Sequence, residues 1–468
     1  MLHFLFIGIV YRDTFVEVAL VLLQSPWMPR LANIEANAAE RLVFALADDI
    51  IEGRLTAGAR LPAHRDLAWK LGVGLGTVTK AYAVLERRGL TRSVKGRGTF
   101  VALREAHNDR QIDLSSNAPP ATLNSRILAK TLTGIARKID ADHFNLYAPP
   151  AGHVEHRRVV ARWLETLGLP ADPLHLVLTS GARQALSLAF DLACGLHGLL
   201  LTERITYPGA LALLRRKGCR MQGVEIDAEG MVPEALAEAL GGTKPHGGRA
   251  VYLTPTLHNP TTATMGAVRR QAIVDICRRA GVWIVEDGVY AASDAGSRPL
   301  AALAPDISLH VNGLSKSLGP GLQIGVLALP AGLKDAAEQL LQDVPMAPSA
   351  LSCAVVEDWL TTGVISSIQR DLRHEARRRS GLAVSLLGTG EIVSHPDAYN
   401  VWLPMEREAA SHFVSVAAAS GIRLTPPGSM MVDPEDQISG IRLCLGGPSF
   451  DDLTGALTLL AGLLRRAA

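Results

Sequence analysis

The sequence predicts an α/β protein in two folded parts: an N-terminal winged helix-turn-helix domain, and a large domain with a mostly parallel sheet flanked by helices and a smaller C-terminal subdomain. Three observations predict it. Helical periodicity followed by a glycine-punctuated hairpin pattern fills residues 36–101, short β-branched runs alternate with longer helical patterns beyond residue 113, and basic residues concentrate in the first of these stretches. The 468 residues are 48% apolar, with 47 lysines and arginines against 45 aspartates and glutamates. That composition supports a large buried core and excludes disorder and collagen-like repetition. Cys194, Cys219, Cys277, Cys353 and Cys444 are scattered without CxxC spacing or histidine pairing, so neither a disulfide framework nor a zinc site is indicated. A reducing cytoplasm is the expected setting.

Residues 1–35 read as a poorly ordered extension. MLHFLFIGIV and VEVALVLLQ are apolar, but Arg12, Asp13 and Glu17 interrupt them. Neither run reaches the ~18–20 residues of a spanning helix, and no basic leader or small-residue cleavage pattern is visible. Met28 stands beside Met1 as a candidate initiator, because the periodic pattern begins just after it.

Residues 36–104 hold twelve basic against six acidic residues in a chain of net charge +2, the electrostatic footprint of a segment that meets phosphates. Leu42, Val43, Leu46, Ala47, Ile50 and Ile51 recur at helical spacing and stop before Gly53. HRDLAWKLG then makes a short helix ended at Gly72, and GTVTKAYAVLERRGL a second from about Thr77 to Arg88, with the spacing of a helix-turn-helix. LTRSVKGRGTFV alternates into two strands around Lys95-Gly96-Arg97-Gly98, a hairpin with a basic tip. In such a unit the second helix offers its first side chains to base edges while the wing follows phosphates. Thr77, Thr79 and Lys80 are placed for the groove, Arg65 and Arg97 for the backbone, and Tyr82, Val84 and Leu85 for the core. Residues 102–112 read as a linker, and residues 113–468 as the large domain.

In that domain HLVLTS, GLLLTE, AVYLTP, VWIVED, SLHVNGL and QIGVLAL read as strands. Ligands of such folds gather at the carboxyl ends of the strands, where the polar clusters fall. Lys316 lies in the glycine-rich segment GLSKSLGPG directly after a strand. A lysine at the mouth of a site loses proton affinity and condenses with aldehydes. Its company is an acid, Asp287, at one strand end, Asn259 at another, and a glycine-led helix start at Gly181-Ala182. These are the parts a pyridoxal 5'-phosphate site needs: a carboxylate for the ring nitrogen, a donor for the phenolic oxygen and a helix N-terminus for the phosphate.

The ordered set SGARQAL, YPG, HNPTTATMG, DGVY, SKSLGPGLQIG and RLCLG makes residues 113–466 similar to the class I aminotransferases, of fold type I. LPAHRDLAWKLGVGLGTVTKAYAVLERRGL and KGRGTFV resemble the GntR-type winged helix. Joined, they resemble the MocR-type subfamily of GntR transcriptional regulators. The resemblance implies a homodimer that binds double-stranded DNA and whose aminotransferase-like domain holds pyridoxal phosphate and an amino-compound effector as an aldimine. A catalytically active aminotransferase with a DNA-binding appendage is the alternative it leaves open. Residue by residue, it implies Lys316 as the Schiff-base lysine, Asp287 on the pyridinium nitrogen, Asn259 and Tyr290 on the phenolic oxygen, and Tyr207 stacked on the ring. Gly181, Ala182 and Ser315 would hold the phosphate, Tyr147 the partner subunit's phosphate, and Arg442 with Asn117 the effector or substrate.

Departures from that pattern are few. Gly74 and Leu75 stand where GntR-type helices carry polar or basic residues, and Thr262 stands where a glycine is common, which is expected to alter only a turn. Gln323 replaces an arginine usual seven positions after the lysine. Losing such a charge-assisted hydrogen bond weakens phosphate binding by ~1.5–3 kcal/mol. Arg183, directly after the Gly181-Ala182 helix start, is expected to supply the charge instead.

Overall fold

The structure, a computed structural model, describes residues 25, 27–33, 36–51, 54–56, 58–87, 90–94, 98–102, 111–123, 125–138, 142–195, 198–241, 248–291, 297–343, 347–388 and 392–467. The chain divides into two compact units, residues 1–110 and 111–468.

Among the described residues of the small unit three helices surround one core. Helix α1 (Ala38–Ile51) buries Leu42, Val43 and Leu46 at the helical spacing seen in the sequence. Helix α2 (His64–Leu71) ends where Gly72 turns left-handed at φ 64°, its N–H reaching back to the carbonyls of Ala68 and Trp69. Helix α3 (Leu75–Arg87) begins two residues before the predicted Thr77, because the Gly74 carbonyl accepts the Thr77 N–H at 3.0 Å and closes a turn ahead of it. Strands β1 (Thr91–Val94) and β2 (Gly98–Val101) pair antiparallel, Thr91 opposite Val101 and Val94 opposite Gly98. The tip between them, with Arg97, lies outside the described residues.

The stretch predicted to be a poorly ordered extension contributes to this core. Trp27 is buried among Leu42, Leu46 and their neighbours, and its indole N–H donates to Asp49 Oδ2 at 2.6 Å. Arg30 and Arg54 pair with the same carboxylate at 2.7 and 2.5 Å. Burial pushes Asp49 upward, but the donors from Arg30, Trp27 and Arg54 outweigh it and hold the carboxyl below its ordinary value. A single aromatic in a stretch without periodicity carries no signal of an element, which is why sequence pattern misses it. Residues 1–24 lie outside the described residues.

The large unit is built on a seven-stranded sheet among its described residues. In chain order, helix α4 (Val154–Thr166) precedes strand β3 (Leu176–Thr179), helix α5 (Ala182–Cys194) and strands β4 (Leu199–Glu203), β5 (Arg220–Val224), β6 (Arg249–Leu253), β7 (Trp283–Asp287), β8 (Ser308–Gly313) and β9 (Gly325–Ala328). The spatial order is β3-β9-β8-β7-β6-β4-β5. Only β9 runs antiparallel to its neighbours. Every predicted strand is present; β5 escapes sequence reading because this edge strand is largely exposed and carries no apolar run.

Leu186, Ala189 and Phe190 of α5 pack against Val285, Leu309 and Leu327, covering one face of the sheet. Helices α6 (Ala350–Thr362) and α7 (Val364–Leu387) help cover the other, with Trp359 fully buried. They lead to the smaller C-terminal subdomain, in which β10 (Asn400–Glu406) and β11 (Ile438–Cys444) pair antiparallel over seven residues and helix α8 (Phe450–Ala467) packs on them.

Candidate functional site

The carboxyl ends of β3, β6, β7 and β8 open onto a cavity of about 350 Å³. At one end α5 starts behind Gly181, which takes φ 95°. Strand β9 runs close beneath this start: a Cβ on Gly325 would stand 2.4 Å from the Gly181 carbonyl carbon, so only glycine fits there. The first N–H groups of a 13-residue helix thereby face the cavity, where helix dipole and free donors favour an anion. Ser315, Arg183 and Gln323 complete that wall, Gln323 in a left-handed conformation at φ 50°.

Asp287, the last residue of β7, is 4% exposed. Burial raises its pKa, and the donors that oppose this are the Tyr252 hydroxyl at 3.0 Å and the Val289 N–H at 3.3 Å. Sequence reading placed Tyr252 in the AVYLTP strand and gave it no role. The sheet explains it: Tyr252 pairs with Val285, two residues before Asp287, so both side chains share one face.

Lys316 follows β8 and points into the cavity, its amine donating to the Asn117 carbonyl and lying 5.9 Å from the centroid of the Tyr290 ring. It keeps some exposed surface, yet desolvation pulls its pKa down to about 8. Asn117 stands outside the lining and braces it, donating from Nδ2 to the Tyr290 hydroxyl at 2.8 Å and to Asn400 Oδ1 at 3.3 Å. Asn259 lines the cavity with its Oδ1 accepting from Arg442 at 2.7 Å. The rest of the Arg442 guanidinium serves Ser115 and Thr425 at 2.8 and 2.9 Å, so this buried arginine sits behind Asn259 and its Nε alone lacks a partner. Tyr207 lies across Gly209, where a Cβ would meet its ring at 2.3 Å, which accounts for the glycine of the YPG segment.

Nine predicted residues thus line one cavity: Gly181, Ala182, Arg183, Tyr207, Asn259, Asp287, Tyr290, Ser315 and Lys316. Tyr147 does not join them; it is fully exposed. Thr262 is more than a changed turn. This buried, β-branched residue takes φ 64° while its N–H donates to the His258 carbonyl at 2.6 Å, a strained backbone for its type. Glu203, and His258 of the HNPTTATMG cluster, to which the sequence reading gave no role, are buried and face each other at 4.0 Å. Burial drives both toward their neutral forms, Glu203 up to about 7 and His258 down to about 3.

In the small unit Arg65, Thr79 and Lys80 are exposed and Thr77 is half-buried near the start of α3. Tyr82 and Leu85 are buried and Val84 packs against them from the margin of the core, as expected.

The family model for aminotransferase class I and II matches residues 109–457. The chain belongs to this family. A second model, that of the bacterial regulatory proteins of the gntR family, matches residues 38–101, and the two together make the MocR-type arrangement. Similar chains include the uncharacterized HTH-type transcriptional regulator YdeF of Bacillus subtilis, 23% identical over 94% of this chain and 96% of that one. The vitamin B6 salvage pathway transcriptional repressor PtsJ of Salmonella typhimurium is 29% identical over 82% of this chain and 89% of its own. Among solved structures, an archaeal alanine:glyoxylate aminotransferase shares the fold at a TM-score of 0.70 and 23% identity, covering 84% of this chain and 95% of that one. The LysN α-aminoadipate aminotransferase of Thermus thermophilus does so at 0.68 and 21%, covering 76% and 92%.

Members of the aminotransferase family bind pyridoxal phosphate. The cavity of this chain fits it: anion-binding helix start, buried acid and desolvated amine stand in one chamber, and the Thr254 hydroxyl on its wall is buried without a partner.

Proposed function

We propose that this protein is a cytoplasmic transcriptional regulator that binds DNA as a homodimer and changes its DNA geometry when pyridoxal phosphate, or an amino compound reacting with it, occupies the large domain. The observation that carries this reading is the exposed Thr79-Lys80 face of α3 on the same chain as the Lys316–Asp287 cavity. Bound pyridoxal phosphate supplies an aldehyde that condenses with primary amines and a ring that accepts electrons. The chain's own groups prepare for it. Desolvation leaves a share of Lys316 as free amine near neutral pH, and Asp287, steadied by Tyr252, would hold a proton on the ring nitrogen. Asn259 and Tyr290 would bind the phenolic oxygen, Tyr207 would cover the ring, Gly181, Ala182 and Ser315 would bind the phosphate, and Arg442 with Asn117 would meet the effector's carboxylate once Arg442 turns from Asn259. Exposed Tyr147 would reach the partner's site. A ligand switches such a protein by preferring one arrangement of the DNA-binding domains, typically by about 1–3 kcal/mol.

Arg183 supplies the phosphate's counter-charge in place of Gln323. Both line the cavity, Arg183 from the first turn of α5. A cation in the first turn of a helix opposes the macrodipole, and a phosphate at that N-terminus offsets this. Arg183→Ala is expected to weaken cofactor affinity about tenfold or more, and adding Gln323→Arg to restore it. An unchanged affinity in Arg183→Ala refutes the role.

The deciding experiment is binding to DNA upstream of the protein's own and neighbouring genes over a salt series, with and without pyridoxal phosphate. Log affinity should fall linearly with log salt, and Lys80→Ala should lower that slope by about one. Salt-independent or absent binding refutes the regulator. The enzyme reading draws on one observation, the desolvated Lys316 in the same cavity as Asp287, Asn259 and Tyr290. Steady turnover of an amino acid with an oxo acid would favour it.

A further inference from the structure

Helix α3 turns Val78, Ala81, Tyr82 and Leu85 to the small unit's core and leaves Leu75, Thr79, Lys80 and Ala83 exposed. Leu75, Thr79 and Ala83 stand four residues apart and so form one row along the exposed face. Leu75 opens the row, 46% exposed and outside the small unit's core. Thr79 has no proton to offer a base, because its hydroxyl already donates to the Leu75 carbonyl at 3.0 Å. It keeps a methyl group and an accepting oxygen, and Ala83 has a methyl group only. Beside Leu75, a Cβ on Gly76 would meet nothing within 4 Å, so the backbone there can come close to a ligand. Glu86, one turn beyond, is held by the N–H and hydroxyl of Ser93 at 2.9 and 3.1 Å. In the first two turns, among the described residues, Lys80 alone carries charge. It adds to the basic excess of the segment that meets phosphates.

Hydrogen-bond donors and acceptors make up most of what base edges show in the major groove. The exception is the C5-methyl group of thymine, which takes apolar contact. We propose that Leu75 is a specificity-determining residue of α3: with the Thr79 and Ala83 methyls behind it, it selects base pairs that present a thymine methyl in the major groove. Lys80 and Arg65 supply attraction to phosphates without regard to sequence. This assignment rests on the regulator reading, in which α3 enters the groove.

The test uses the full chain loaded with pyridoxal phosphate. A duplex site is selected from a random-sequence library, and each thymidine in it is replaced singly by deoxyuridine, which removes the methyl and keeps the base pair. One or two positions per half-site are expected to lose about fourfold or more in affinity, the worth of one buried methyl group. That ratio should hold constant over a salt series, because a methyl group releases no counterions. It should also persist in Lys80→Ala, which weakens binding to both duplexes alike. At the position facing Leu75 the ratio should fall to about one in Leu75→Ala and be kept in Leu75→Met. Equal affinity for thymidine and deoxyuridine duplexes at every position overturns the proposal. So does a ratio that survives Leu75→Ala at every sensitive position. Salt-dependent binding from which no sequence can be selected overturns it while the regulator reading stands, and absence of DNA binding overturns both.

Discussion

The two units carry their chemistry in opposite ways. In the small unit the groups placed for DNA, Arg65, Thr79 and Lys80, are exposed and come from one stretch of 16 residues. In the large unit the groups around the cavity come from positions 117 to 442, and Asp287, Asn259, Tyr290 and Arg442 are buried in shared hydrogen bonds. An exposed helix face can change its side chains without disturbing its core, whereas each buried group here is held by another. Function in the first unit is therefore separable from stability, and in the second it is not.

The largest effect expected sharpens that contrast at its most isolated point. Lys316→Ala should abolish retention of pyridoxal phosphate through gel filtration, and with it the visible absorption the cofactor gains on attachment to an amine. The variant's DNA binding in the absence of cofactor should match that of the parent at every salt concentration, because α3 and its core contain nothing from the large unit's pocket. Loss of both together would break the separation.

Trp27→Ala tests the other side of the comparison. Removing a buried tryptophan costs about 3–5 kcal/mol, and here the change also strips a donor from Asp49. Denaturant unfolding followed separately for each unit should show the small unit destabilised and the large unit unmoved. An unchanged small unit would mean that Trp27 lies on its surface in solution.

Legibility in the sequence follows the same division. The helix-turn-helix and the wing are written in local periodicity and two glycines, so their places emerge without any tertiary knowledge. The cavity residues emerge because strand ends punctuate the sequence with polar clusters, and nine of them meet as expected. What stays hidden is what depends on neighbours across the sheet or on lone side chains. Tyr252 serves Asp287 only through the β6–β7 register, Glu203 and His258 meet across two strand ends, and Trp27 fills a core from a stretch without pattern. The Thr262 strain is invisible because a positive φ at a β-branched residue is a property of the closed turn, not of its composition.

Glu203 gives the large unit a pH dependence that the small unit should lack. Burial raises its folded pKa from 4.5 to about 7. A raised carboxyl pKa means that the folded state binds the proton more tightly, so the contribution to stability is complete below about pH 4.5 and is lost as pH rises through 7. The loss is on the order of 3 kcal/mol. His258, pushed down to about 3, contributes in the opposite sense between about pH 3 and 6.5. Glu203→Gln should therefore remove the falling component and make the denaturant midpoint climb more steeply with pH up to about 6.5 than in the parent, and should leave the small unit's profile as it was. An unchanged profile in the variant would assign the dependence to another group.

Thr262→Gly should give the smallest change, and in the opposite direction. A non-glycine residue held at positive φ costs about 1–3 kcal/mol, and a glycine returns part of this through the extra freedom it has when unfolded, about 1 kcal/mol or less. The net gain expected is about 1 kcal/mol in the large unit alone. The turn must still form, because the Thr262 N–H that donates to His258 is a backbone group and survives the change. Next to this turn, Asn259 lines the cavity and binds Arg442, so a more stable turn should leave cofactor affinity equal or slightly higher. If the variant is more stable but binds cofactor more weakly, the strain at Thr262 is part of how Asn259 is aimed, and stability and function are coupled in the large unit down to a single backbone angle.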